Sequence, residues 1–504
     1  MSIRLKKALL LLLAVALLAV ASQVQGRLNQ DRDRLGLTRV EPLENAPPVL
    51  AFTTVALGGF RGLISNALWI RANDLQDEDK FFEMAQLADW ITKLEPHFVQ
   101  VWVNQAWNMA YNISVKFKDY ADRWRWVEQG IELLRDQGLR YNPNETLMYR
   151  ELAWFFQHKM GANLDDANIY YKIEWRDEMN KVFGNKPVNF DELIHPQTAD
   201  QRERARLLRE RYKMDPEFMK EVDERYGPLE WRLPEAHAIY WSALGLEKAR
   251  ENPTKIKADD LITLRRGIYQ SLQLSFQRGH LINNPLVRID FGPNLDIIPK
   301  ASAEYEEAAR EDVNNRDNIL KAHRNFLKDA VYFLYSNNRV ADAARWWKYL
   351  GTKYPNVSVL NKSSTAYPAT LTLDNYVFER IQEDIGETSR DRVRAALEGF
   401  LVRAYTSLAL GEDERAAGYE RVAAMVRDTY ASKTKTRGEA IELPPLEELK
   451  RAALNRVLDT ENGLPAELRA TVRTKLGMGP EPAAPAAPAA NPGTNAPPQA
   501  SSGG

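Results

Sequence analysis

The sequence contains no cysteine among its 504 residues. This absence excludes disulfide bonds, thiolate metal ligands, thiol catalysis and a lipidated N-terminal cysteine. The chain also lacks an excess of charge of either sign, because 68 lysine and arginine residues stand against 69 aspartate and glutamate residues. A nucleic acid is therefore not an expected partner, since binding to phosphates needs a basic surface.

Catalytic and metal-binding motifs are missing as well. The six histidines are scattered, and none stands four residues from another or at a diagnostic metal-ligand spacing from Asp or Glu. No G-x-S-x-G, glycine-rich phosphate loop or nucleophile–base pair is present. Asp165 and Asp166 could act as paired carboxylates, but they more simply cap the following helix. We therefore predict no catalytic residue, metal or cofactor, although glycosidase-like carboxylate pairs leave no local sequence signature.

The N-terminus combines basic residues with an apolar run. Three basic residues precede an unbroken apolar stretch from Ala8 to Ala21. This length fits a secretory signal with a small-x-small cleavage site ending at Ala21. An uncleaved anchor is the alternative, because Val24 could lengthen the stretch. Both alternatives place everything after Gly26 outside the cytoplasm, on the periplasmic side of an inner membrane.

Proline-containing breaks recur along the chain with matched residues after them. Four pairs of positions share an offset of 47 residues: Pro96 and Pro143, Trp102 and Tyr149, Ala106 and Ala153, and Trp107 and Trp154. A shared period of this kind indicates stacked supersecondary units, none of which can bury its apolar face alone. Paired small residues at such positions predict that two helices nearly touch there.

These patterns resemble the tetratricopeptide repeat. In that repeat, a large and then a small residue mark the first helix, and a small residue, an aromatic, another small or apolar residue and a terminal proline mark the second. The second half is matched by Ala343, Trp347, Leu350 and Pro355, although Leu350 departs from the usual small residue. Blocks such as 58–62, 68–72 and 87–91 also look like those of uncharacterised repeat proteins of bacterial envelopes. The resemblance implies an all-α, tetratricopeptide-like α-solenoid of helix pairs with irregular insertions, whose first helices line a concave groove.

Composition shifts divide the chain into seven segments. We predict a signal peptide or membrane anchor (1–26), a membrane-proximal linker (27–50), an N-terminal repeat array (51–180), a charged helical insertion (181–232), middle repeat units with a loop at 283–299 (233–355), C-terminal helical repeats (356–478) and a Pro/Ala-rich tail (479–504). The tail has too little apolar bulk to offset the entropy of ordering, so we expect it to be disordered.

The resemblance also implies the positions that face the groove. Carried over to this chain, they are Trp69, Asn73, Trp107, Tyr111, Arg150, Trp154, Gln157 and His158, with Trp241 in a fourth unit. Tryptophan and tyrosine beside amide side chains suit an extended peptide and a glycan equally. We therefore predict a membrane-tethered, extracytoplasmic scaffold, not an enzyme, that binds a protein or peptide partner. Three alternatives stay open: a glycan-binding or glycan-processing component of envelope polysaccharide handling, a structural spacer, and aromatic residues that are ordinary core.

Overall fold

A computed structural model describes residues 60–480, apart from gaps at 163, 185, 252–257, 285–287, 361–364, 386–389, 437–442 and 461, together with some residues between 15 and 31. Of the described residues, 76% are helical and 2% lie in strands, so the predicted all-α class is confirmed. The predicted signal or anchor, the linker and the tail fall almost entirely outside this part of the chain. Within it, no helix combines the length and the apolarity needed to cross a bilayer.

The chain divides into two compact units, Met1–Phe98 and Val99–Gly504. In the first unit, helices α1 (Phe60–Asp77) and α2 (Phe81–Leu94) pack against each other. Their small apolar core is formed by Ala72, Leu75 and Met84, with Phe81 and Leu87 packed against it. The boundary lies inside the segment 51–180, which the sequence pattern had assigned to a single array.

The second unit begins with three helices that widen into π-helical segments. Helix α3 (Val99–Trp107) continues as the π-helical segment Asn108–Ile113 and a 3₁₀ turn, Ser114–Lys116. Helix α4 (Tyr120–Glu132) continues as Leu133–Gly138 and a last turn, Leu139–Tyr141. Helix α5 (Thr146–Trp154) continues as Phe155–Gly161. The π-helical segments after α3 and α5 begin at positions separated by the 47-residue period of the sequence.

The chain then leaves α5 and returns to it. Helices α6 (Asn168–Phe183), α7 (Phe190–Ile194), α8 (Ala199–Glu210) and α9 (Pro216–Tyr226) come first, followed by α10 (Pro234–Glu251) and α11 (Ala258–Arg278). Helix α10 packs along α5, and α11 packs on both α10 and α5. The charged segment 181–232 supplies α7, α8 and α9, which lie in sequence between helices that are neighbours in space.

Among the described residues, a short hairpin and eight helices complete the second unit. Strands β1 (His280–Ile282) and β2 (Asp290–Gly292) are antiparallel, with His280 opposite Gly292. The helices are α12 (Ile298–Glu311), α13 (Arg316–Ser336), α14 (Val340–Lys353), α15 (Leu373–Ile385), α16 (Arg390–Ala409), α17 (Asp413–Thr436), α18 (Leu446–Leu458) and α19 (Ala466–Lys475). Neighbours in sequence pack side by side, as α12, α13 and α14 do. Strand β2 lies within the predicted loop 283–299.

Small residues mark the places where helices approach most closely. Ala106 is fully buried and Ala153 is 4% exposed, as the matched small residues had predicted. A Cβ atom at Gly130 of α4 would lie 2.9 Å from the carbonyl oxygen of Ala106 on α3. The large partners of these alanines in the 47-residue pattern, Trp102 and Tyr149, are buried too. The sequence period therefore reports real helix–helix contacts.

Candidate binding site

Six of the predicted groove residues come together in the second unit: Trp107, Tyr111, Arg150, Trp154, Gln157 and His158. They lie on α3, on α5 and on the π-helical segments that follow these two helices. The two remaining positions, Trp69 and Asn73, lie on α1 of the first unit, where Asn73 is exposed and the Trp69 ring is 5.5 Å from that of Phe98. For Trp69 and Asn73, participation in a groove stays a prediction.

Four aromatic rings form what we call the aromatic strip: Trp107, Tyr111, His158 and Trp154. Trp107 stacks on Tyr111 with ring centroids 4.2 Å apart, and Trp154 stacks on His158 at 4.4 Å. The Tyr111 hydroxyl and His158 Nδ1 lie 3.2 Å apart and share a hydrogen bond. The strip therefore runs without a break from one helix to the next.

The strip owes its regularity to the repeat. Trp107 and Trp154 are 47 residues apart, and so are Tyr111 and His158. Within each helix the two rings are four residues apart, the spacing that places side chains on one face. The second ring of each pair lies inside a π-helical segment. Such segments are rare in proteins, but those that occur are often found at functional sites. The same arrangement of helix and π-helical segment thus presents an aromatic pair in each of the two matched repeats.

The rings of the strip are only partly covered. Trp107 is 36% exposed, and Trp154 is half-buried. The Trp107 indole donates a 2.6 Å hydrogen bond to Glu151 Oε2, while Arg150 Nε donates to Glu151 Oε1 at 2.8 Å. Trp107 is therefore fixed in orientation by a carboxylate whose charge Arg150 balances. Trp241, offered by the sequence as a fourth groove residue, is instead buried against Tyr149 and Tyr240.

A buried ion network supports the strip from behind. Lys159 is 3% exposed, with its Nζ 4.9 Å from the Tyr111 ring and 2.5 Å from Asp165 Oδ2. Arg123 binds both Asp165 and Asp166 at 2.7 Å. Asp165 Oδ1 also accepts a hydrogen bond from the backbone nitrogen of Ala167. The predicted helix-capping role of Asp165 is not observed, because the N-cap residue of α6 is Ala167 and no side chain caps this helix. The Asp165 carboxylate instead orders the turn before α6 and holds two buried cations.

Burial sets the protonation states along the strip. Burial, reinforced by the negative charge of Glu151, raises the pKa of Tyr111 far above its usual value. Burial, reinforced by the positive charge of Lys159, lowers the pKa of His158. Burial alone would raise the pKa of Asp165, but its hydrogen bond to Lys159 and the nearby cations outweigh this effect and lower it. At neutral pH the strip therefore presents uncharged rings over a charge-balanced network.

A cleft of about 280 Å³ adjoins the strip at Trp154. We call it the glutamine cleft, because four of its lining residues are glutamines: Gln157 from the segment after α5, and Gln270, Gln273 and Gln277 from α11. Gln157 Nε2 donates to Gln270 Oε1 at 2.9 Å, and the Tyr305 hydroxyl donates to Gln273 Oε1 at 2.5 Å. The amide groups of Gln157, Gln270 and Gln273 are thus fixed in orientation.

Sequence reasoning missed several residues of this site. The α11 glutamines stand at i, i+3 and i+7, so the sequence alone could have shown that they share one face of the helix. It gave no indication that this face lies against α5. No sequence pattern pointed to Glu151, Lys159 or Arg123 as part of the site, since their partners are distant in sequence or belong to no recognisable motif. Among the described residues, no group of three His, Cys, Asp or Glu side chains could hold a metal ion.

A larger cavity of about 810 Å³ lies at helices α6, α7 and α8. Among its charged side chains, Arg204 pairs with both Glu192 and Asp200, and Lys181 pairs with Glu178. Its described lining lies in and next to the charged segment 181–232 and presents no stacked rings. We therefore take the aromatic strip and the glutamine cleft as the candidate site.

Comparisons of this chain with protein-family models, with curated proteins and with solved structures found no match. The tetratricopeptide resemblance accordingly rests on the sequence pattern, and function has to be argued from the site itself.

Proposed function

We propose that this protein is a helical-repeat scaffold that binds an extended peptide segment of a partner protein through the aromatic strip and the glutamine cleft. The observation that carries the proposal is the unbroken series of four rings. Matched positions of two sequence repeats supply these rings, and the series ends at the glutamine cleft. Rings offer contact area at low entropic cost, and amides pair with a peptide backbone as donors and acceptors.

Binding is favoured over catalysis by the state of the nearby carboxylates. Glu151 is held by Arg150 and Trp107, and Asp165 by Lys159 and Arg123. A general acid or base needs a proton-transfer group that is free to reach the substrate, and these carboxylates are committed to structural partners.

We extend the proposal to the architecture and address of the chain. A tetratricopeptide-like solenoid is supported by the 47-residue period, which recurs in the π-helical segments, and by the close contact of Gly130 with Ala106. Export is supported by the basic and apolar residues before Gly26. A reporter fused after Pro48 should be active outside the cytoplasm. Activity of a reporter that works only inside the cytoplasm would refute this topology.

Peptide display tests the binding proposal. Phages carrying random peptides are selected on the purified full chain, and the affinity of enriched peptides is then measured for Trp154→Ala. Loss of a central aromatic contact should weaken binding by about 2 kcal/mol or more while the fold is retained. If Trp154 is merely core, the variant should instead lose about 3–5 kcal/mol of stability with no specific binding defect. Trp346→Ala, at a half-buried tryptophan on α14, is the matched control.

A glycan is the second candidate ligand. The stacked Trp154 and His158 pair beside amide groups would also suit a sugar ring and its hydroxyl groups. An array of bacterial surface oligosaccharides, probed with the full chain and with Trp154→Ala, separates the two ligand classes. Enrichment of oligosaccharides and not of peptides would make the protein a component of polysaccharide handling.

A further inference from the structure

The amide groups of the glutamine cleft are committed on one side only. Gln157 uses its Nε2 to bind Gln270 Oε1, and Gln273 uses its Oε1 to bind the hydroxyl of Tyr305. One acceptor, Gln157 Oε1, and two donors, Gln270 Nε2 and Gln273 Nε2, have no hydrogen-bond partner in the described part of the chain. The interior of the protein thus fixes which half of each amide can meet a ligand.

This combination matches the backbone of an extended peptide. A secondary amide offers one N–H donor and one carbonyl acceptor, and the carbonyl oxygen has two lone pairs. The acceptor of Gln157 can take a backbone N–H, while the donors of Gln270 and Gln273 can bind backbone carbonyls. The stacked Trp154 and His158 pair on the same wall offers apolar surface to a neighbouring side chain.

The lining of the cleft carries no charge with which to bind a charged ligand. Its described residues are tryptophan, alanine, leucine, four glutamines and His158. Around the strip, Glu151 is paired with Arg150, and Lys159 is paired with Asp165. A charged side chain placed here would lose its hydration without gaining a counter-charge.

From these contacts we infer that the glutamine cleft binds the backbone amides of an uncharged peptide segment, with an apolar or aromatic side chain of that segment against Trp154. The inference rests on the proposed function and adds the chemistry of its ligand. It separates this site from charge-based peptide clamps, because recognition depends on the peptide backbone and on the absence of charge.

Two measurements on an enriched peptide test the inference with the wild-type full chain. Replacing each backbone N–H in turn by N–CH₃ should lower affinity at least about tenfold at one or two positions, because a required donor is lost. Affinity should also change less than about threefold between about 0.05 M and 0.5 M NaCl, because no ion pair is formed. Uniform tolerance of methylation, or a steep salt dependence, would overturn the inference.

A substitution then assigns the donor on the protein. Gln273→Glu keeps the acceptor for the Tyr305 hydroxyl and replaces the outward N–H group by a carboxylate oxygen, so affinity should fall at least about tenfold. Gln129→Glu, at an exposed position of α4, adds the same charge elsewhere and should change affinity less than about twofold. Equal affinity of Gln273→Glu and wild type would also overturn the inference.

The outcomes distinguish the inference from the proposed function. If no peptide shows binding that depends on Trp154, peptide binding itself fails. If peptides bind through Trp154 but prove highly charged, bind with a steep salt dependence, tolerate methylation at every position, or bind Gln273→Glu as tightly as wild type, only the assignment of the cleft fails. Trp154-dependent binding of an oligosaccharide, with no peptide enriched, contradicts both.

Discussion

Replacing Gly418 by alanine should destabilise the second unit, because, among the described glycines, a Cβ atom at this position would come nearest to a neighbouring backbone atom. A Cβ atom at position 418 of α17 would lie 1.9 Å from the carbonyl oxygen of Ser336, at the end of α13, and 2.7 Å from the backbone nitrogen of Asn338. Both neighbours are backbone atoms, so they cannot rotate away as a flexible side chain would. The helices would have to separate by more than an ångström.

The expected free-energy change follows from two opposing effects. Overpacking of a close contact costs about 1–3 kcal/mol, and a backbone clash of this size belongs at the upper end. Alanine in place of glycine inside a helix contributes about 1 kcal/mol in the other direction. We therefore expect Gly418→Ala to lose about 2 kcal/mol of stability.

Gly399 provides the matched control. It lies within α16, and a Cβ atom there would have no neighbour within 4 Å. Gly399→Ala should therefore gain about 0.5–1 kcal/mol from helix propensity alone. Urea unfolding followed by circular dichroism compares both variants with wild type in the same transition, since the two units need not unfold together. If Gly418→Ala unfolds at the same or a higher urea concentration than wild type, the contact is not as close as described.

Three other perturbations test the packing and the charges. Ala153→Leu adds volume to a buried contact and should cost about 1–3 kcal/mol, seen as a lower urea midpoint; an unchanged midpoint would contradict this. Asp165→Asn leaves the buried Lys159 without its counter-charge and should lower the free energy of unfolding by about 3–5 kcal/mol. A variant as stable as wild type would contradict this expectation. Burial lowers the pKa of His323 from 6.5 to about 4. In that window only the unfolded chain binds the proton, so stability should fall as the pH drops from about 6.5 to about 4. His323→Gln should reduce this pH dependence, and an identical pH profile would refute it.

The helical class and the matched positions could be predicted because they depend on local periodicity. Apolar spacing and proline breaks report helices wherever they pack, and the 47-residue offset placed Ala106 and Ala153 at buried contacts. The same offset predicted that Trp107 and Trp154 would present equivalent rings. This prediction depends only on local geometry, because a side chain four residues from another on the same helix lies on the same face, and matched helices repeat that arrangement.

The other half of the site depends on contacts that no local pattern encodes. Gln157 and Gln270 are 113 residues apart and meet only because the chain passes through α6–α9 before α10 and α11 return to α5. Trp241 was misassigned for the same reason, since α10 is buried where it packs along α5. The division at Phe98 was also missed, because helical periodicity continues on both sides of it.

The matched π-helical segments limit which changes in length this chain can tolerate. A π turn contains about one residue more than an α turn, and one residue corresponds to about 100° of rotation around the helix. Deleting a single residue from 108–113 or 155–161 would restore an α-helix and turn every later side chain of that helix away from its partner. Homologues that keep the strip should therefore align without gaps from Trp107 to Ile113 and from Trp154 to Gly161.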